Sequence, residues 1–298
     1  MKKLTYVLSA MLMLAATPTQ SRAADEQWQV GTAPSFSSGR YGTDARTEVF
    51  HTPITARRLF TDGDLTLVFP FTCIRGNGAV TVVNGTPVRT DTSSTTTTRT
   101  GGTTTDGRTG ANAGTSRTTT DAALQSNTGT LASAVTNCGM GDIIVRGRYY
   151  LLDERAWWPT IAVRAHVKTP TANAETGLGT GRPDEGIGLE VSRTLAAGLM
   201  AMVDGGYTVI GRPVGVEFNN NWWYDVGLGQ DLANGVVNLS VFFEEYRAIV
   251  PGLANARDVL AAVTIKGTNG WRLQISGEFG LSDGAPDHGF TFGASRRF

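Results

Sequence analysis

The last residues of the chain alternate strictly: Phe290, Phe292, Ala294, Arg296 and Phe298 share one face, and Thr291, Gly293, Ser295 and Arg297 the other. A period of two is a β-strand, because successive side chains point to opposite faces of a sheet. In an exported chain, a final strand that closes on an aromatic residue predicts a transmembrane antiparallel β-barrel. Its last strand must pair with its first, since no backbone group can face lipid unpaired. Phe298 then serves as a membrane insertion signal, and the barrel-assembly machinery is the partner expected during insertion.

Export is read from the other end. Lys2 and Lys3 precede an apolar stretch from Tyr6 to Ala16, and Ser21-Arg22-Ala23 offers a cleavage site. This pattern predicts a signal peptide over 1–23 and one barrel domain over 24–298. No later stretch offers 18 consecutive apolar residues, so helical membrane spans are not expected. The formal net charge is 0, which gives no argument for nucleic acid as a partner. Charged residues make up only 17% of the chain beside 37 glycines, a balance that suits a sheet whose outer face meets lipid.

Twelve segments read as strands, beginning near residues 28, 46, 65, 142, 160, 186, 199, 222, 236, 258, 271 and 289. A water-soluble sandwich would alternate as well, but its connections need obey no parity. Here they do. Short turns such as Thr61-Asp62-Gly63-Asp64 and Gly267-Thr268-Asn269-Gly270 alternate with longer loops, the longest from Arg75 to Gly141. Short turns on one side and long loops on the other are the outer-membrane pattern, placing the short turns in the periplasm and the long loops outside the cell. Trp157, Trp158 and Trp271 open strands at the short-turn side, and Trp222, Trp223 and Tyr224 at the other, as two interfacial belts would.

Alternation then selects the residues that face the lumen. Arg146, Arg148, Arg164, His166 and Lys168 lie on neighbouring strands, and Glu190, Asp204, Asp225, Glu244, Asp258 and Glu278 on later ones. Two arrangements fit these charges. They can form a pore wall with a basic and an acidic side whose transverse field orients small polar solutes, or they can pair and fill a narrow lumen.

Asn84 to Ser133 holds 18 threonines in 50 residues, and no aromatic residue occurs between Phe71 and Tyr149. Such a segment cannot bury enough apolar surface to offset its ordering entropy, so a disordered extracellular loop is expected at about 76–137. It is either an adhesive or glycan-decorated surface or an inert loop. Cys73 and Cys138, the only cysteines, flank it. In an oxidising compartment they are expected to pair and clamp its base, stabilising by roughly 4 kcal/mol in the chain-entropy picture. Free thiols or a metal pair are the alternatives.

Catalytic signatures are missing from the sequence. His51, His166 and His288 are the only histidines, no serine sits in G-x-S-x-G, and no H-E-x-x-H occurs. No catalytic residue, metal or cofactor is expected.

Gly141-Asp142 opens an alternating strand, Val167-Lys168-Thr169-Pro170-Thr171 ends the next, and Gly177-Leu178-Gly179-Thr180-Gly181 with Asp184 follows. In this order the chain resembles the outer-membrane transporter-like family of the meta-pathway (MetA-pathway) of phenol degradation. The likeness runs from Gly141 to Phe298, with weaker agreement across Thr47 to Phe71. Ala172 stands where the family usually has glycine. The resemblance implies a barrel for passive uptake of small solutes, aromatic or apolar compounds among them. It also singles out Pro170, Gly179, Gly181 and Asp184 as a motif loop. The competing expectation is a surface protein whose threonine-rich loop works while the barrel anchors it.

Overall fold

The structure is a computed structural model and describes residues 27–83, 86–90, 135–213 and 216–298. The expected signal segment and most of the threonine-rich stretch lie outside these residues. β1 (Gln27–Thr32) and β2 (Ser35–Gly39) make one interrupted stave, followed by β3 (Thr47–Phe60) and β4 (Gly63–Gly76). A small hairpin, β5 (Val80–Val83) and β6 (Thr86–Arg89), stands apart from the main sheet. β7 (Val135–Met140) and β8 (Ile144–Leu152) form a second interrupted stave. Then come β9 (Thr160–Lys168), β10 (Asp184–Ala196), β11 (Leu199–Val209), β12 (Asn221–Leu232), β13 (Val237–Tyr246), β14 (Ala256–Lys266), β15 (Trp271–Gly280) and β16 (His288–Arg297).

Consecutive staves pair antiparallel, and β16 returns to β1 at Gln29↔Arg297 and to β2 at His288↔Ser38. Phe298 and Trp28 exchange both backbone hydrogen bonds at 2.9 Å, so the terminal residue itself seals the seam. The result is a closed, twelve-stave antiparallel barrel, as lipid requires, with the short β7 at the long-loop end paired on one side only, to β4.

The tight turns carry the chemistry that twist demands. Asn269 and Gly270 both have positive φ (54° and 77°), the conformation that lets a two-residue hairpin follow the sheet's right-handed twist. Leu228, Val241, Ile275 and Phe290 point outward and are exposed, as a lipid-facing surface requires. Trp157, Trp158, Trp271 and Phe298 are exposed at the short-turn end. At the long-loop end Trp222 stacks on Tyr224, with centroids 6.1 Å apart. Trp223 departs from the expected belt: one residue out of phase with its neighbours, it turns into the lumen.

Ladder hydrogen bonds fail along one line across four staves. Ala33-Pro34 interrupts β1 and β2, Pro53 pairs in register with Pro70, and β4 passes from β8 to β7 beyond Val68. Proline has no N–H to give the ladder. The prolines' own carbonyls still accept: Phe292 N donates to Pro34 O at 3.0 Å and Gly141 N to Pro70 O at 2.8 Å.

The mouth is covered. Val80 to Val83 are all buried. Val83 packs with Ile210, Phe218, Ile249 and Val250, and Val82 with Val49, Ile74 and Leu178. Opposite faces of one short strand are thus buried on loops and on the barrel wall. This corrects the expected disorder over 76–137 at its beginning. Ala79-Val80-Thr81-Val82-Val83 is an apolar run, and a threonine count over the wider segment hides it. The far end is corrected too, because β7 extends its stave. Cys73 and Cys138 occupy paired positions of β4 and β7 and form a disulfide across a separation of 65 residues.

Candidate functional site

The motif residues converge on one buried ion cluster at the long-loop end. Lys168 ends β9 with none of its surface exposed. Its Nζ lies 3.0 Å from Asp142 Oδ2 and 2.8 Å from Asp184 Oδ2, and donates to Thr180 Oγ1 at 3.0 Å. Asp142 Oδ1 accepts from Ala172 N at 2.9 Å, and Asp184 Oδ1 from Gly211 N at 2.8 Å. Thr171 Oγ1 accepts from Ile143 N at 2.9 Å, in the gap between β7 and β8. The cluster therefore ties the loop after β9 to the break in the neighbouring stave. Gly179 is required by contact, since a Cβ there would sit 2.7 Å from Asp142 Oδ2 and 2.8 Å from Ala172 Cβ. Gly181 holds a φ of 67°, in the left-handed region. Pro170 stands two residues beyond the end of β9, where the strand stops.

Lys168 is accordingly not a pore-lining residue, although alternation points it inward. Two carboxylates and a hydroxyl enclose it, because an amine buried at that depth needs a full set of partners.

Below the covered mouth lies a cavity of about 670 Å³. Its basic wall carries Arg57, Arg146, Arg148, Arg164 and His166, from β3, β8 and β9. Arg57 binds Asp64 at 2.6 Å and Arg148 binds Glu190 at 3.2 Å. Arg164 pairs with Asp204 and lies 4.9 Å from the centroid of Trp223. Arg146 differs from all three. It projects into the cavity with an exposed side chain and forms no ion pair among the described residues. Tyr41, from the loop before β3, is buried in the roof, and burial pushes its phenol above the usual range.

The acids form an ordered line. Register pairs Glu190↔Asp204, Asp204↔Asp225, Asp225↔Glu244 and Glu244↔Asp258 place one carboxylate on each strand from β10 to β14. Glu278 on β15 pairs with Leu260, two residues beyond Asp258, and so faces the same side. Barrel strands tilt, so a line perpendicular to them climbs the axis by about 3 Å per strand at a tilt of roughly 40°. The carboxylates form a ramp. Arg148 and Arg164 neutralise its β10 and β11 end. Asp225, Glu244, Asp258 and Glu278 form no ion pair among the described residues, and Asp258 is 4% exposed. Of the acids predicted for the lumen, Asp225 borders the large cavity, while Asp204 and Asp258 are nearly buried in the wall.

Sequence reasoning missed Arg57, Asp64, Tyr246 and Arg247, all of which line the cavity. The pattern of β3 was too irregular to phase, yet Arg57 follows from alternation once His51 is placed inside. It also missed the role of inward glycines. A Cβ on Gly206 would lie 2.6 Å from Trp223 Cζ2 and one on Gly188 3.0 Å away. Gly186 sits likewise beneath the His166 ring and Gly227 beneath Phe242. These rings lie flat on the wall over positions with no side chain, which keeps them from crossing the lumen.

A closed barrel with a charged interior, a lipid-facing apolar band and alternating short turns and long loops defines a protein of the bacterial outer membrane. The sequence profile described as "Putative MetA-pathway of phenol degradation" matches residues 55–298. The chain belongs to that family. Among solved structures, the COG4313 outer membrane channel from Pseudomonas putida F1 is similar with a TM-score of 0.63 at 11% identity. That match covers 95% of this chain and 100% of the other, and it is a likeness of fold. The KdgM porin gives a TM-score of 0.44 at 6% identity, over 91% and 99% of the two chains. Comparison with curated proteins gives no match.

Proposed function

We propose that the protein is a passive outer-membrane channel for small solutes. The observation that carries this reading is the 670 Å³ cavity inside a closed barrel, with an arginine wall on one side and Asp225, from the carboxylate ramp, on its border. Opposed charges across a narrow lumen impose a transverse field on whatever passes. Family membership supports small aromatic or apolar compounds among the solutes. Transport is favoured over catalysis because the inward charges engage each other, as Arg148 does Glu190 and Arg164 does Asp204. That arrangement stabilises a wall and activates no nucleophile.

Insertion through the barrel-assembly machinery belongs to the same proposal. Phe298 and the β16 strand supply its signal, and removing Phe298 should sharply reduce folded protein in outer-membrane fractions. Planar-bilayer recording tests the channel itself, after heat-modifiable gel migration has confirmed folding. Stable conductance steps that change when Arg164 is neutralised support it. A folded barrel that conducts nothing and releases no small solute from vesicles overturns it. Deleting 91–134 should leave conductance intact, whereas a surface protein working through that segment would lose its binding.

A further inference from the structure

We propose that the cavity beneath the mouth is a binding site for a small organic carboxylate, with its anionic head on Arg146 and its apolar body under the roof. The proposal rests on the channel reading and names the class of solute that the lumen holds.

The cavity has two unlike surfaces. Val83, Ile210, Ile249 and Leu253 form an apolar roof, brought there by the β5–β6 hairpin and the loops that follow β11 and β13. The polar lining is cationic, with six arginines and three aspartates around the cavity. Most of these arginines are committed, Arg57 to Asp64, Arg148 to Glu190 and Arg164 to Asp204, while Arg247 donates to Asn220 O at 3.4 Å. Arg146 alone among the basic-wall arginines points into the space with its donors uncommitted, between His166 and Thr66 on the flanking strands.

A guanidinium offers two parallel donors, the geometry that a carboxylate matches. A cation meets the wrong charge, and a small inorganic anion leaves the roof uncovered. A neutral apolar solute would take the roof but leave the guanidinium fork unused. A volume near 670 Å³ lies within the range of small-molecule sites.

Isothermal titration calorimetry on the protein in lipid nanodiscs tests this with sodium benzoate, sodium acetate and benzylamine. Benzoate should bind saturably. Arg146→Gln should weaken it about ten-fold or more, and Arg146→Lys should recover part of the loss. Acetate, lacking the apolar body, should bind several-fold more weakly than benzoate, and benzylamine should not bind. Heat-modifiable migration confirms that each variant is folded. Benzoate affinity unchanged in Arg146→Gln, or equal binding of benzylamine, overturns the proposal. Because calorimetry needs no conductance, the two readings can fail separately. Arg146-dependent binding in a barrel that does not conduct removes the channel and keeps the site. Conductance with no benzoate binding removes the site and keeps the channel.

Discussion

The two halves of the barrel wall are built differently. From β11 to β15 every strand keeps one uninterrupted register with the next. From β1 to β8 the ladder is broken at Pro34, Pro53, Pro70 and the gap between β7 and β8. The regular half is held by its backbone, and its inward carboxylates form few contacts. The broken half recovers what the ladder loses through side chains, chiefly the disulfide and the cluster in which Lys168 of β9 and Asp184 of β10 hold Asp142 at the gap before β8. Backbone regularity thus leaves inward charges free to act on solutes, while backbone interruption commits polar groups to structure.

The sharpest way to break this contrast is Lys168→Met. It would leave Asp142 and Asp184 buried and facing each other without a cation. Stripping one partner from a buried ion cluster costs about 3–5 kcal/mol. The urea midpoint of the protein in lipid vesicles should fall accordingly. Adding Asp142→Asn and Asp184→Leu should restore much of it, because the uncompensated charges go with them. A Lys168→Met barrel with a wild-type midpoint would show that the cluster is not what secures the broken half. The double change Cys73→Ser with Cys138→Ser comes next, at roughly 2–4 kcal/mol for a loop of this length, read from the same midpoint.

A smaller effect is expected in the regular half from Gly206→Val. A Cβ at that position would lie 2.5 Å from the Ile187 carbonyl oxygen and 2.6 Å from Trp223 Cζ2, so the added side chain presses on both the β10 backbone and the ring. Overpacking of this kind costs about 1–3 kcal/mol. Since the ring can yield only toward the lumen, single-channel conductance should drop while the barrel still folds. Unchanged conductance would mean that Trp223 does not border the conducting path.

These contrasts also mark what the sequence made legible. In the regular half, alternation alone placed Asp225, Glu244 and Glu278 inward, and the turn residues bounded each strand. Pattern could not align them, because the ramp depends on register between strands, which one chain's alternation leaves undetermined. In the broken half the same rule misled. Lys168 has lumen parity, yet the loop after β9 folds back and encloses it. Trp223 looked like a belt residue because its neighbours Trp222 and Tyr224 are, until strand phase separated them. The β5–β6 hairpin was hidden by composition: five small and apolar residues sat at the edge of a threonine-rich stretch, and only their burial on two faces reveals the cover.

The ramp supplies the last and mildest prediction. Glu244→Gln with Glu278→Gln removes two inward charges that form no ion pair among the described residues, so the urea midpoint should barely move. What should move is ion preference. A unit charge near a watery path acts at about 1 kcal/mol at 4 Å, enough for a several-fold change in relative permeability. In a potassium chloride gradient, the reversal potential of the double variant should shift toward chloride. Arg146→Gln should shift it toward potassium. Equal and opposite shifts would mean that the two walls act on passing ions as one dipole. A shift from Arg146→Gln alone would confine selectivity to the cavity under the mouth, with the ramp lying outside the conducting path.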